Sequence, residues 1–197
     1  GVLVEGKTIS SRTTNSIDFG STIDSGTNII AVGSPLSGSG GEGHVHVYSR
    51  DFTGELTLLQ ILSAADGNIT SFGNSISMSS DYQWLYVGAP DSDTVLTYQW
   101  NDFAITASDT IIVPNANVAT FTLPNISTSS AELVLVSNSS VDFVPYKDYT
   151  ISGSDITFTS NAQPDTYVFR TNPGFVNKGS GTFTGNSNTD FGRSVSC

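Results

Sequence analysis

The chain has 197 residues, of which 18 are acidic and 7 are basic, so its formal net charge is −11. Nucleic-acid binding normally needs a basic stripe that replaces the counterions of phosphates, and the few scattered basic residues here exclude that function. The same charge disfavours anionic membrane surfaces, and no apolar run approaches the length of a membrane span, so we expect no membrane insertion. The single cysteine, Cys197, excludes an intrachain disulfide.

The first predicted unit has three elements in a fixed order. They are a Phe-Gly turn at Phe19 and Gly20, a buried strand that ends at Gly33 and Pro35, and a short strand over residues 44–48. Glycine after phenylalanine allows a backbone conformation or a close approach that a side chain would forbid. Proline ends a strand because it cannot donate to a sheet ladder. The pattern predicts the short antiparallel strands of a propeller blade.

The same three elements recur about fifty residues later, a period typical of repeat architectures. The second copy has its turn at Phe72 and Gly73, its strand end at Gly88 and Pro90, and its third element over residues 94–98. No segment of the chain shows a sustained helical period, whereas short alternating runs recur between turn residues. We therefore predict an all-β chain with propeller blades over residues 1–100.

Residues 101–173 have a different pattern. Alternating runs recur there at a spacing of roughly eight to twelve residues, with turn residues between them, which predicts a small β-sandwich. The runs cover residues 119–123, 131–136, 149–153, 155–159 and 166–170. This stretch is predicted to be a β-sandwich-like module inserted between blades.

The Phe-Gly turn returns at Phe191 and Gly192. Residues 174–197 are therefore predicted to begin a further blade. Because a propeller usually needs about four or more blades to close, we expect the chain to be a fragment of a longer protein. A rarer alternative is that several copies pool their blades around one axis.

The blade units resemble the FG-GAP repeat, which builds the integrin α-subunit propeller and occurs in many microbial and viral surface proteins. The inserted module is similar to one found in bacteriophage tail and fiber proteins, and the combination resembles large virion proteins of marine cyanophages. The matching residues of the module are 120–124, 148–153, 156–158 and 164–169.

The resemblance implies a non-enzymatic structural component of a bacteriophage virion, in a tail, fiber or similar appendage, that serves as scaffold or contact surface. Its implied partners are other virion proteins or copies of itself, with a host-surface glycan or protein as a further contact. The alternative is a bacterial cell-surface or extracellular adhesin with the same repeats. An enzyme reading, with a hydrolase elsewhere in a longer chain, stands third, because no nucleophile motif, phosphate-binding loop or paired-carboxylate pattern is present.

FG-GAP repeats often bind calcium in a loop with several carboxylates, because calcium takes six to eight oxygen ligands. The corresponding loops here contain one acid each, Asp24 and Asp81. We therefore predict no metal and no cofactor. Asp91 and Asp93 follow the second strand-ending proline, and we favour a turn over a chelating site, with the aspartates bonded to their own backbone.

Two histidines and four aromatic residues are further candidates. His44 and His46 are two residues apart on a predicted strand and so face the same side. Zinc would need a third or fourth ligand, so we expect a polar, half-exposed strand face instead. Four aromatic residues lie near blade ends, namely Trp84, Tyr98, Trp100 and Tyr82. We favour core packing between blades for each of them, and the alternative, noted for Trp84, Tyr98 and Trp100 in particular, is a contact surface for sugars or a protein partner.

Overall fold

The computed structural model describes residues 7–101, 107–113, 118–128, 131–178, 183–186 and 189–197. Strands account for 49% of the residues and helical turns for 3%, which confirms the all-β prediction. The described strands form four small antiparallel sheets, arranged as a four-bladed β-propeller.

The described strands are short, as propeller blades require. Their bounds are β1 (Thr22–Ser25), β2 (Ile29–Ser34), β3 (His44–Arg50), β4 (Leu56–Leu62), β5 (Ser75–Met78), β6 (Trp84–Ala89), β7 (Thr94–Asn101), β8 (Ser108–Val113), β9 (Val118–Thr122), β10 (Val134–Ser137), β11 (Asp142–Phe143), β12 (Tyr149–Ser152), β13 (Asp155–Ala162), β14 (Asp165–Thr171), β15 (Gly174–Asn177) and β16 (Phe183–Thr184). Single 3-10 turns lie at Pro90–Ser92 and Ala131–Leu133.

The first sheet is a meander of four consecutive strands, β1-β2-β3-β4. The second has the order β15-β7-β6-β5, and β16 also pairs with β7. Its fourth strand, β15, comes from beyond residues 101–173. Gly174 pairs directly with Asn101, so the chain leaves the second sheet at the end of β7 and re-enters it opposite the same point.

The first two sheets share one hydrophobic core. Its largest members are Phe72, Tyr98 and Phe175, and all three are fully buried. Gln60 of β4 joins the sheets through its side chain, because its Nε2 donates to the Phe175 carbonyl at 2.6 Å and its Oε1 accepts from the Phe175 N–H at 2.8 Å. The amide of Gln60 thus pairs with β15 as a neighbouring strand would.

The third sheet, β11-β10-β14-β8, and the fourth, β12-β13-β9, bury a core of their own. The alternation that predicted β13 is confirmed, since Ile156 and Phe158 are buried while their neighbours are exposed. Each of the five predicted runs overlaps a strand. The sequence interpretation did not include β8 and β11, of which β8 pairs along the length of β14.

The third and fourth sheets consist of strands from residues 101–173 and so are the inserted module, which packs against the first sheet. Ile61 of β4, Leu135 of β10 and Val144 form a small third cluster. Ser63, just after β4, donates from Oγ to the carbonyl of Pro145 at 2.5 Å. The inserted module therefore covers the first sheet at the end of β4, whereas Ile23 of β1 is 61% exposed.

Candidate functional site

The three Phe-Gly turns share one backbone conformation. The residue before the phenylalanine lies in the left-handed region in each copy, with φ of 57° at Asp18, 57° at Ser71 and 53° at Asp190. The glycine of the turn has φ of 90°, 90° and 89° in the same order. In each turn the residue after the glycine donates its N–H to the carbonyl of the residue before the phenylalanine, and this hydrogen bond closes the turn. Glycine is needed because a side chain disfavours this φ.

Each of the first two sheets presents a glycine to a Phe-Gly turn that follows it in the chain. A Cβ on Gly33 would lie 2.2 Å from the carbonyl oxygen of Gly73, and a Cβ on Gly88 would lie 1.8 Å from that of Gly192. The second contact also has a hydrogen bond, from Ser75 Oγ to the Gly192 carbonyl at 2.7 Å. We call these two backbone contacts the blade interlocks. They give a physical reason for glycine at Gly33 and Gly88, whereas the positive φ gives the reason at Gly73 and Gly192.

The remaining residues of the repeat differ in exposure. Phe72 is fully buried, Phe19 is half-buried and Phe191 is 39% exposed. β2 ends at the residue before Pro35, and β6 ends at the residue before Pro90, as expected of a residue that cannot donate to a ladder. The predicted motif residues therefore lie in the turns and at the strand ends where neighbouring blades meet.

The short turn after β6 forms hydrogen bonds to two Phe-Gly segments. The sequence interpretation did not predict these contacts. The turn itself forms as predicted. The Asp91 carboxylate, however, accepts a hydrogen bond from Ser71 Oγ. The Asp93 carboxylate accepts from the N–H groups of Thr189 at 2.9 Å and Phe191 at 3.2 Å. These aspartates thus bind the turns of other segments, and the expectation that they bond their own backbone is wrong.

The carboxylates of the two candidate calcium loops are occupied by protein donors. Asp24 accepts from the Met78 N–H of the second sheet at 2.6 Å. Asp81 accepts from Ser79 Oγ at 2.6 Å and from the Gln83 N–H at 3.1 Å, and these hydrogen bonds lower the pKa of Asp81. Within the described ranges, no three His, Cys, Asp or Glu side chains group so that they could hold a metal ion. One carboxylate per loop does not fit calcium.

His44 and His46 lie on one face of β3, but the expectation that this face is half-exposed is wrong. The side chains are 0% and 1% exposed, and burial lowers the pKa of each to about 3. The His46 ring stands edge-on to Phe19, and its Nε2 lies 3.1 Å from Ser11 Oγ. Neither ring nitrogen of His44 has a hydrogen-bond partner in the described part of the chain. Both rings are neutral core groups, covered by the inserted module and residues 7–19.

The structure separates Trp84, Tyr98 and Trp100, for which a contact surface was the alternative to core packing. Tyr98 is fully buried in the core of the first two sheets, which excludes it from a surface. Trp84 and Trp100 are half-buried. Leu85 pairs with Tyr98, and Trp84 pairs with Gln99. Because side chains alternate along a strand, Trp84 and Trp100 point to opposite faces of the second sheet.

Trp100 lines a cleft of about 260 Å³ between the first two sheets, which we call the interblade cleft. Its lining residues are Asn28, Ile29, Asp81, Tyr82, Gln83 and Trp100. Tyr82 has φ of 59° and holds its ring against the first sheet, since a Cβ on Gly26 would lie 2.5 Å from that ring. The Trp100 ring stands edge-on to Phe175 with centroids 5.1 Å apart. Packing thus fixes both aromatic walls of the cleft.

Comparisons with protein-family models, curated proteins and solved structures gave no significant match. No helix among the described residues is long and apolar enough to cross a membrane. The propeller-like arrangement therefore stands on the structure itself.

Proposed function

We propose that the chain is a non-enzymatic structural component of a bacteriophage virion, in the tail, a fiber or a similar appendage. The blades form a stiff scaffold, and the blade ends together with the inserted module form contact surfaces. The partners are other virion proteins or copies of this chain, with a host-surface glycan or protein as a further contact.

The blade interlocks carry this proposal. The same backbone contact occurs at two successive Phe-Gly turns, between Gly33 and Gly73 and between Gly88 and Gly192. Backbone atoms cannot rotate away as side chains do, and close-packed interiors transmit strain. A repeat joined in this way suits a part that must keep its shape.

The third Phe-Gly turn supports the partner assignment. Phe183 is 54% exposed and Phe191 is 39% exposed. Both line a cleft of about 500 Å³, together with Tyr86, Val95 and Cys197. Clustered exposed apolar side chains mark protein–protein contact sites more often than isolated ones do. A virion protein or a second copy of the chain is the matching partner.

Mass spectrometry of purified particles, with antibody labelling in the electron microscope, tests the proposal. We expect peptides of this chain at constant stoichiometry through successive gradient purifications, and label at one fixed position on the particle. Absence from particles, with label on uninfected host cells, would replace the proposal by the adhesin alternative. A secretion signal or wall anchor in the same gene would point the same way. Glycan or peptide hydrolysis by the purified chain would contradict the non-enzymatic assignment.

A further inference from the structure

We infer that the interblade cleft is a binding site for a neutral saccharide, of the size of one sugar ring with its substituents. The inference rests on the contact function proposed above and names the chemistry of that contact. The cleft lies at the ends of strands, because β2 begins at Ile29, β6 begins at Trp84 and β7 ends at Asn101. A peptide that adds a strand needs a sheet edge, which strand ends do not provide.

The aromatic walls provide the apolar half of a sugar site. Tyr82 and Trp100 both line the cleft, and their rings are fixed by Gly26 and Phe175 respectively. An aromatic ring has a negative face that attracts the polarised C–H groups of a sugar, and a ring already held in place loses little entropy on binding. Ile29, which is 6% exposed, closes the floor of the cleft.

The rim provides the polar half. Asp81, Gln83 and Asn28 are exposed. The Asp81 Oδ1 accepts hydrogen bonds from Ser79 and Gln83, which fix its position. Within the described residues, its Oδ2 and the side-chain amides of Asn28 and Gln83 have no hydrogen-bond partner in the protein. Two amides and one carboxylate oxygen thus remain for a ligand.

The backbone holds these groups in place without a ligand. The Tyr82 N–H donates to the Ser79 carbonyl at 2.9 Å, and the Trp84 N–H donates to Ser79 Oγ at 3.0 Å. The Trp100 N–H donates to the Gln83 carbonyl at 2.8 Å, which ties the turn to β7. Preorganised polar groups bind more tightly because little freedom is lost on association.

The donor set selects a polyhydroxylated ligand over other classes. None of the lining residues is Lys or Arg. The nearby guanidinium of Arg50 donates to the Thr27 carbonyl and lies outside the lining, so a phosphate or carboxylate ligand finds no counter-charge among the lining residues. An apolar ligand would leave the amides and the carboxylate desolvated without partners, which is costly. An organic ammonium could use the carboxylate and the rings, but the two amide NH₂ groups would then face a ligand with no acceptor. Sugar hydroxyls both donate and accept.

The chain has two tryptophans, Trp84 and Trp100, and this allows a matched experiment. Trp84→Phe leaves the cleft tryptophan as the only one, and Trp100→Phe leaves only the tryptophan on the opposite face of the sheet. The methyl glycosides of glucose, galactose, mannose and N-acetylglucosamine are titrated into each variant, with tryptophan fluorescence and saturation-transfer NMR as readouts. We expect a saturable signal in Trp84→Phe for at least one glycoside at roughly millimolar Kd, which is usual for small weak ligands.

Three further variants test the assignment of the groups. Trp100→Ala should weaken binding at least about tenfold, which corresponds to about 1.4 kcal/mol. Because Trp100 also packs against the core, the exposed substitutions Gln83→Ala and Asn28→Ala are the decisive second test. Each should weaken binding several-fold with an unchanged melting temperature.

The proposal is overturned if none of the four glycosides binds, or if binding survives in Trp100→Ala and in the double variant of Asn28 and Gln83. Competition by tetramethylammonium but not by glycosides would show an ammonium site instead. The outcomes also separate the two proposals. A chain that is present in particles but binds no glycoside refutes the saccharide site alone, and a chain that binds through the cleft but is absent from particles refutes the virion assignment alone.

Discussion

Substituting Gly33 with alanine tests whether the blade interlock governs stability. The new Cβ would lie 2.2 Å from the carbonyl oxygen of Gly73, more than an ångström inside the 3.4 Å at which ordinary contact begins. Backbone makes this contact, so no side-chain rotation relieves it, and the first two sheets must separate. Gly33 does not have a positive φ, so the expected effect comes from the contact and not from strain in its own backbone.

The magnitude follows from two opposing effects. Overpacking of a tight contact costs about 1–3 kcal/mol, and more where the obstructing group is fixed. Replacing glycine with alanine also reduces the entropy of the unfolded chain, which offsets about 0.4–1 kcal/mol. We expect a net loss of about 2 kcal/mol, or about 4–8 °C in Tm for a chain of this size. Gly88→Ala should cost more, because its Cβ would lie only 1.8 Å from a carbonyl oxygen.

Urea unfolding followed by circular dichroism measures the loss. Gly67→Ala is the matched control, since no heavy atom lies within 4 Å of a Cβ there and its φ is not positive. A second control adds Thr22→Ser to Gly33→Ala, which removes a methyl group 2.3 Å from the new Cβ and leaves the carbonyl contact. The reasoning is refuted if Gly33→Ala is as stable as Gly67→Ala, or if Thr22→Ser restores stability in full.

Three further predictions concern groups that join the sheets or are buried between them. Gln60→Leu should lower the unfolding free energy by about 2–4 kcal/mol, because the N–H and carbonyl of Phe175 lose their partner; a loss below about 0.5 kcal/mol would contradict this. Burial lowers the pKa of His44 and His46 to about 3 in the folded chain, so the chain takes up protons when it unfolds below about pH 6.5. The contribution of these histidines to stability is therefore complete above about pH 6.5, and it falls towards pH 3 by at most about 1.4 kcal/mol per pH unit for each histidine. Replacing both with glutamine should flatten that slope in urea titrations, and an unchanged slope would show that the histidines do not cause it. Chelator and millimolar calcium should leave Tm unchanged, and a chelator-induced drop in Tm that calcium restores would reveal a metal site. Asp24→Ala should lower the unfolding free energy by about 1–2 kcal/mol, because it removes the hydrogen bond to the second sheet.

Two carboxyl groups act on the pH profile in the opposite direction. Burial raises the pKa of Asp142 and of Asp148. The folded chain therefore holds these protons more tightly than the unfolded chain does, and their contribution to stability increases as pH falls through the raised pKa. Comparison with Asp142→Asn separates this contribution from that of the histidines.

The repeat was predictable from sequence because its chemistry is local. The positive φ at Gly20, Gly73 and Gly192 and the strand ends before Pro35 and Pro90 follow from the residue types themselves. The strands of the inserted module were predictable for a similar reason. An alternation of apolar and polar residues with a period of two predicts a strand with one buried face, and this prediction does not depend on what the face packs against.

What the sequence did not predict depends on which surfaces meet. His44 and His46 alternate with apolar residues as on a half-exposed strand, and only the packing of the inserted module and residues 7–19 buries them. The sequence favours core packing for Tyr98 and Trp84 alike, and only the pairing of β6 with β7 shows that Tyr98 enters the core shared by two sheets while Trp84 is half-buried. The interblade cleft is lined by residues from both of the first two sheets, so no local sequence pattern predicts it.

The place of the insertion explains how the chain keeps its interlocks while gaining a large module. The chain leaves at Asn101 and returns at Gly174, which pair directly, so the module replaces a hairpin connection and costs only the slowly growing entropy of a longer closure. Gly88 pairs near the other end of the same sheet, opposite Val95. The interlock and the insertion thus occupy opposite ends of the second sheet. The interblade cleft, which includes Trp100, lies at the insertion end, where contacts can vary without separating the blades.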